Sequence, residues 1–531
     1  MQPQPTNGFL ATRWPHVLLG VVAVAALLGY GNTLGGYFVG DDFAYVGRYA
    51  AMPLAEWPRL FVREWSGGMW GFQLKELRPV TALTFIGDGH LWGGAALGFR
   101  LTNLCLHIAC AWLVGAIAWR VSGEAFCALV AGLLFALHPV HVEPVVWITG
   151  RVDLVATLFY LAGIVAWLAY RAGGEWRWLV AAWVSCALAA FAKEFGLTLP
   201  LMALAGDLLL HRPTLRANWR RALAPYAGWV VLGIVYFECR RVAFGPGGAG
   251  AGWPDLRSAA FWHDLGQRQL EYLRSVFSQF YFTPLTGGGG RGWSHVTLGA
   301  LLAGLIYMGW RARRWAAAFV FFGVGWYVLA TLPLVVTYVS ARHLYLASAG
   351  LCVAWALGLG ALPRRVGWGL AAVLAASFAV ALPSATRPWR NAAHLSGVTA
   401  AAVREAARQA PPGAAILLDA PELLNGAYVW AWASPFALRP PFQATDLTRE
   451  RVVLERPQLY FFPEKWSDRQ PFAPLAREAK GAMVVVVRES GETRIWYCPP
   501  EILRPVAERF AAQPQGLHLW ALLLQEISPR S

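Results

Sequence analysis

Asp41 and Asp42 stand side by side in the run Gly40-Asp41-Asp42-Phe43-Ala44-Tyr45, just after an apolar stretch from about Val17 to Leu34. That stretch is long enough to cross a bilayer, so the pair arrives where a span leaves the hydrocarbon. Acidic groups at a membrane edge are costly unless they are solvated or used. A carboxylate within hydrogen-bond reach of an acceptor hydroxyl can take its proton in a transition state, which makes Asp41 a candidate general base. Asp42 would then position the acceptor or a cation. The plainer reading is a solvated loop or a helix N-cap, a role aspartate commonly fills.

A second constellation is Leu137-His138-Pro139-Val140-His141-Val142-Glu143-Pro144, followed by Gly150-Arg151-Val152-Asp153. Its two histidines, glutamate, arginine and aspartate exceed what linking two spans requires. Histidine with carboxylate suits a divalent ion, so His138, His141 and Glu143 are candidate metal ligands. The same turn could instead hold a phosphate or sugar by hydrogen bonds, or face water as an interfacial cap. Further cations, Arg78, Lys193, Arg240, Arg241 and Arg342, are candidates for a phosphate, for which guanidinium offers bidentate contact. Each alone would also serve as a cation snorkelling to headgroups. Asn103 and His107, one helical turn apart, suit interhelical hydrogen bonds. Asp207 falls close enough to a span end to be merely solvated.

These residues must be positioned by membrane-spanning helices. Of the 531 residues 57% are hydrophobic and only 14% charged, well below the quarter or so typical of soluble domains. Apolar runs near 20 residues alternate with short Arg-bearing segments, the pattern of a polytopic α-helical membrane protein. The 28 Trp and 17 Tyr suit its interfaces. A formal charge of +15 could suggest nucleic acid, but the cations recur between spans rather than forming one stripe, which excludes that partner. The seven cysteines show neither a disulfide framework nor metal-type spacing. The first apolar stretch lacks a small-residue cleavage site and reads as a retained anchor.

Positive-inside bias then sets the topology. Arg13 places the N-terminus in the cytoplasm. About eleven spans follow, from about Val17–Leu34, Phe99–Trp119, Phe126–Leu137, Leu154–Tyr170, Trp178–Ala192, Phe195–Leu210, Leu223–Phe237, Val296–Trp310, Trp315–Val336, Leu344–Leu362 and Val366–Leu382. The basic stretch from His211-Arg212 to Arg220-Arg221 falls inside. Arg240-Arg241, outside, breaks the bias. A Gly-rich outer loop (Gly245 to Gly252) precedes an amphipathic, interfacial or re-entrant helix from Leu270 to Phe282, broken by Gly287 to Gly290. The acidic pair, the His-Pro turn and Arg342 thus share the outer side. Residues 1–383 make up the membrane domain. Residues 384–531 read as a small extracytoplasmic α/β domain, with strands at Ala414–Leu418 and Met483–Val487 and a helix at Thr399–Gln409 closed by Pro411-Pro412-Gly413.

The run Phe135 to Leu154 strongly resembles the membrane portion of the transmembrane and tetratricopeptide-repeat O-mannosyltransferases, which are C-type integral-membrane glycosyltransferases. Asp41-Asp42, Arg78-Pro79-Val80-Thr81, Asn103 with His107, Ala192-Lys193-Glu194 and Arg342-His343-Leu344-Tyr345-Leu346 match in order, so the likeness extends over roughly Gly40 to Arg390. It implies inverting transfer of a sugar from a polyprenyl-phosphate carrier to an acceptor on the outer face, with the catalytic base in the acidic pair. The tail departs from the family by lacking the repeat array, which leaves mannose and a protein acceptor open and points to a bacterial inner-membrane protein with a periplasmic tail. The rival classes are a transporter or lipid flippase, which would show internal repeats and mid-membrane charges, and a membrane scaffold.

Overall fold

The computed structural model describes residues 9–210, 219–245, 257–277, 307, 310–311, 313–336, 338–455, 478–511 and 517–528. The described chain divides into two compact units. The helical unit comprises residues 1–34, 52–91 and 98–387, and the α/β unit takes 35–51, 92–97 and 388–531. The second unit is therefore discontinuous in sequence. The segment bearing Asp41 and Asp42 folds with the C-terminal residues, where the sequence had suggested a membrane domain of residues 1–383.

Six helical stretches among the described residues are long and apolar enough to cross a membrane: Arg13–Thr33, Ala96–Ser122, Ile148–Gly173, Arg313–Leu334, Ala341–Gly360 and Arg364–Gln409. A further pair, Ala125–Leu137 and Pro139–Val146, is bent by 51°. The bend falls at His138-Pro139, where proline disfavours helical backbone in the residue before it, and His138 is extended (φ −63°, ψ 120°). These seven elements carry seven of the eleven expected spans. The expected fifth span falls on Trp176–Ala192, of 17 residues, and the sixth on Leu199–Leu210, of 12. The seventh falls on Ala227–Phe244, whose last two turns carry Glu238, Arg240 and Arg241. The apolar run Val296–Trp310 falls almost wholly outside the described residues, as do His211-Arg212, most of the Gly-rich loop, and Gly287 to Gly290. The amphipathic helix begins earlier than expected and is described over Ala259–Phe277.

We label the first helices α1 (Phe9–Tyr30), α2 (Asp42–Tyr49), α3 (Pro79–Trp92), α4 (Ala96–Ser122), α5 (Ala125–Leu137), α6 (Val142–Val146), α7 (Arg151–Gly173), α8 (Trp176–Ala192) and α9 (Leu199–Leu210). In the helical unit α7 packs along α8, and α5 lies between α1 and the helix Leu344–Gly360. One expectation is corrected here. Asp207 is buried, not solvated: it accepts hydrogen bonds from Tyr226 Oη at 2.8 Å and Trp167 Nε1 at 3.3 Å and pairs with Arg171. A carboxylate taken out of water needs such partners.

The α/β unit is built on a four-stranded sheet, ordered β4-β1-β5-β6, from β1 (Ala415–Asp419), β4 (Val453–Glu455), β5 (Ala482–Val487) and β6 (Thr493–Cys498). β1 runs parallel to β4 and β5, and β5 pairs antiparallel with β6. β5, and β1 up to its last residue Asp419, are continuous apolar runs, as strands covered on both faces must be. A two-stranded ribbon, β2 (Leu423–Leu424) with β3 (Ala427–Tyr428), follows β1. The helix expected at Thr399–Gln409 is the end of an uninterrupted 46-residue helix, Arg364–Gln409. Its Ala-rich second half carries the helical conformation past the composition change near Ser384.

Candidate functional site

In the helical unit, a polar group gathers on a floor of apolar side chains. Leu77, Val80, Val155, Ala190, Phe191, Ala192 and Tyr236 form one buried cluster. Arg78 lies between two of these residues at the start of α3, and Lys193 follows directly on α8. The chain reverses after Lys193 in a tight turn closed by Gly196 N–H to Lys193 C=O at 2.9 Å. A Cβ on Gly196 would stand 2.3 Å from the Ala189 carbonyl carbon, so no other residue allows the turn to fold back this closely.

On that floor Arg78 Nη2 donates to Glu76 Oε1 at 2.7 Å and to Glu194 Oε2 at 3.4 Å. Lys193 Nζ donates to Asp153 Oδ1 at 2.6 Å, from the first turn of α7. Arg342 Nε stands 4.0 Å from Glu143 Oε1, while Ser340 Oγ donates to Glu143 Oε2 at 2.8 Å. The Arg342 guanidinium lies 5.1 Å from the centre of the Trp147 ring. The three cations form one electrostatic group, since Glu76 is influenced by Arg78, Lys193 and Arg342 together. Burial pushes the Glu76 carboxyl up against the pull of Arg78. Burial also opposes ionisation of Glu194, but Arg78, a backbone N–H, Lys193 and Arg240 outweigh it and hold that carboxyl low. Burial lowers the Lys193 ammonium, with Asp153 acting in the opposite sense. Arg240 joins through Glu194 and Tyr236. Arg241 instead pairs with Glu238 one turn back, on an exposed face.

The His-Pro turn and Arg151 lie deeper. Arg151, fully buried, pairs with Asp88 Oδ2 at 2.6 Å and donates to Asn103 Oδ1 and Phe99 C=O, each at 2.7 Å. Asn103 in turn donates to the carbonyls of Trp147 (3.1 Å) and Ile148 (3.3 Å). His141 bonds Phe135 C=O at 2.8 Å and Ser348 Oγ at 2.7 Å through its two ring nitrogens, and His107 bonds Tyr345 Oη at 2.7 Å. His138 Nδ1 accepts from Val140 N–H and its ring stacks on Trp355. Asn103 and His107 thus make the interhelical bonds expected of them. Both His141 nitrogens are thus engaged, and among the described residues no group of three His, Cys, Asp or Glu side chains is placed to hold a metal ion.

In the α/β unit, Asp42 is fully buried at the start of α2, and its Oδ2 accepts from Val39 N–H at 3.1 Å. Asp41, half-buried, makes no cap hydrogen bond and accepts at Oδ1 from the indole N–H of Trp432. Phe43 anchors the loop, 4.9 Å from the Phe442 ring centre and 5.7 Å from that of Trp430, and Gly40 N–H bonds Val429 C=O at 2.9 Å. The sequence did not single out Glu76, Asp88, Ser340 or Trp432. Asp88 carried one signal, a carboxylate inside an apolar helix, which demands a buried cation.

These features place the chain among integral membrane proteins, and it resembles C-type membrane glycosyltransferases. No family model matches it. It is 32% identical over 202 residues to the protein O-mannosyl-transferase Tmtc1 of Drosophila melanogaster, a match covering 36% of this chain and 23% of that protein. It is 26% identical over 429 residues to the protein O-mannosyl-transferase TMTC4 of Mus musculus, covering 66% and 56%. The chain spans about a quarter of the length of the first of these curated relatives. Among solved structures it is similar to ArnT from Cupriavidus metallidurans bound to undecaprenyl phosphate, with a TM-score of 0.48 and 15% identity over 90% of this chain and 94% of that one.

Proposed function

We propose that the protein transfers a sugar, with inversion, from a polyprenyl-phosphate carrier to an acceptor hydroxyl at the non-cytoplasmic face of the membrane, the bacterial inner membrane on this reading. The observation that carries this is the convergence of Arg78, Lys193 and Arg342 on one polar group of a helical, membrane-embedded unit. Preorganised cations are most effective where charge develops, and here that is the phosphate oxygen of the departing carrier. The acceptor oxygen forms a bond to the anomeric carbon as the bond to phosphate breaks. Its proton goes to Asp41, the more accessible of the two aspartates, while Asp42 holds the loop through Val39. Glu143 and Asp153 set the positions of Arg342 and Lys193. His138, His141 and Arg151 support the turn that carries Glu143 rather than touching the sugar. The likeness to O-mannosyltransferases supports sugar transfer, and the acceptor class extends to protein, lipid or glycan.

The test incubates purified protein with a panel of polyprenyl-phosphate sugars and follows release of free carrier. At least one sugar should be released by the wild type and none by Asp41→Asn at equal expression. Release from no carrier, with or without divalent cations, would favour a transporter or scaffold.

A further inference from the structure

The α/β unit contains a cavity of about 470 Å³ whose lining includes Asp419, Arg488, Arg494, Trp496, Gln525 and Ser528. Its position follows from the sheet. From β1 the chain leads to β4 on one side, whereas β5, on the other side of β1, leads on to β6. Connections therefore diverge between β1 and β5. In open α/β sheets, ligands lodge outside the carboxyl ends of the strands at such a point, because the loops part there. Asp419 is the last residue of β1, and Arg488 directly follows β5.

The register brings opposite charges to this crevice. Asp419 lies opposite Val486, and Val486 opposite Arg494, so the three form one row on one face of the sheet. Two strand spacings, about 9.5 Å, separate the backbones of Asp419 and Arg494. Trp520 Nε1 donates to Asp419 Oδ1 at 3.3 Å, Trp496 Nε1 to Ile527 C=O at 3.1 Å, and Arg494 Nε meets Glu492 at 3.0 Å, which orients all three groups.

We propose that this cavity binds an anionic saccharide, a sugar ring bearing one phosphate or carboxylate. Two guanidiniums suit the anionic group. Asp419 accepts from ring hydroxyls, and Gln525 and Ser528 can donate and accept. The indole of Trp496 offers an apolar face with its polar edge already engaged, matching the C–H face of a pyranose. The volume lies within the range of about 300–1,000 Å³ usual for small-molecule sites. A neutral sugar would leave both arginines unused, and inorganic phosphate alone would leave Asp419 and Trp496 unused.

The site is independent of the transfer reaction proposed above, and so is its test. Full-length protein in detergent is titrated with mannose 1-phosphate, galacturonate, mannose and inorganic phosphate by calorimetry. At least one of the two charged sugars should bind more tightly than mannose and phosphate, and which one does identifies the anionic group. Arg494→Ala and Asp419→Asn should each weaken that binding by about tenfold or more, the effect of removing a hydrogen bond to a charged group. Arg494 is exposed, so its variant keeps the fold and carries the test even if Asp419→Asn melts early. Asp41→Asn should bind as the wild type does. Absence of binding by both charged sugars, equal binding of mannose, or indifference to Arg494→Ala would overturn the proposal.

Discussion

Arg151 shows how a residue in a chemical-looking motif can serve the fold instead. It is fully buried, and Asp88, Asn103 and Phe99 engage its guanidinium. Removing one partner of a buried pair strands the other charge, at a cost of about 3–5 kcal/mol. Arg151→Met should therefore lower the melting temperature of the solubilised protein sharply, and Arg151→Met with Asp88→Leu should recover much of the loss. A double variant that melts normally yet has lost sugar transfer would instead put Arg151 on the donor. Glu76 and Glu194 share Arg78 but are driven in opposite directions, which gives them opposite pH signatures. The carboxyl of Glu194 is lower in the folded chain, so its contribution is present above the ordinary glutamate pKa of about 4.3 and is lost as pH falls through the lowered value. Glu76 is raised, so its contribution is complete below that pKa and is lost as pH rises through the raised value. Glu194→Gln should thus lower the melting temperature at neutral pH, with the deficit shrinking in acid. Glu76→Gln should show no such neutral-pH deficit, and parallel melting curves against pH for the two variants would refute the assignment.

At the scale of elements, the acidic loop is a built part of the α/β unit. Gly40 turns at φ +51°, and a Cβ there would lie 2.9 Å from the Tyr428 Cβ, so Gly40→Ala meets both strain and a clash. Phe43, buried against Phe442 and Trp430, should cost about 3–5 kcal/mol when cut to alanine. Both variants should lower the melting temperature and reduce transfer with the Asp41 and Asp42 side chains intact. Normal transfer by Phe43→Ala would dissociate the loop's anchorage from activity. Sequence alone could not show this anchorage. Apolar run length revealed the long helices, because hydrocarbon thickness imposes it locally. Strands β1 and β5 were legible for a similar reason, as unbroken apolar runs between turn residues. The partner of Asp41, however, is Trp432, 391 residues away, and no local pattern encodes that meeting. Glu76 and Asp88 were illegible in the same way, since a carboxylate's role depends on which cation the fold brings to it. The matched motifs held Arg78, Glu143, Asp153, Lys193, Glu194 and Arg342, so of this polar group only Glu76 and Ser340 could not be read in advance.

For the whole molecule, the side on which the α/β unit resides depends on the parity of the crossings rather than their number. Seven elements, the six long apolar stretches and the bent pair, match expected spans one to four and nine to eleven. The shorter helices α8 and α9 follow one another through a tight turn, so they cross together or not at all, and either way parity is unchanged. The eleven expected spans are an odd number, and with Arg13 inside that expectation puts the C-terminal residues outside, as the proposed reaction needs. The bent pair is the sensitive element: if its 51° break makes it re-entrant, one further element must also fail to cross, because residues 35–51, one span from the N-terminus, fold with the C-terminal residues in one unit. Ser490→Cys, in the exposed turn between β5 and β6, tests this directly. The nearby Cys498 is buried, with its thiol pushed up by that burial to about 11, and stays silent at neutral pH. In a background with Cys105 and Cys239 changed to Ser, cells expressing Ser490→Cys should react with a membrane-impermeant maleimide without permeabilisation, whereas cells lacking Ser490→Cys should not. Labelling only after the cytoplasmic membrane is opened would place the α/β unit inside. It would also put residues 35–51, and with them Asp41, inside and the N-terminus outside, and remove outer-face transfer from consideration.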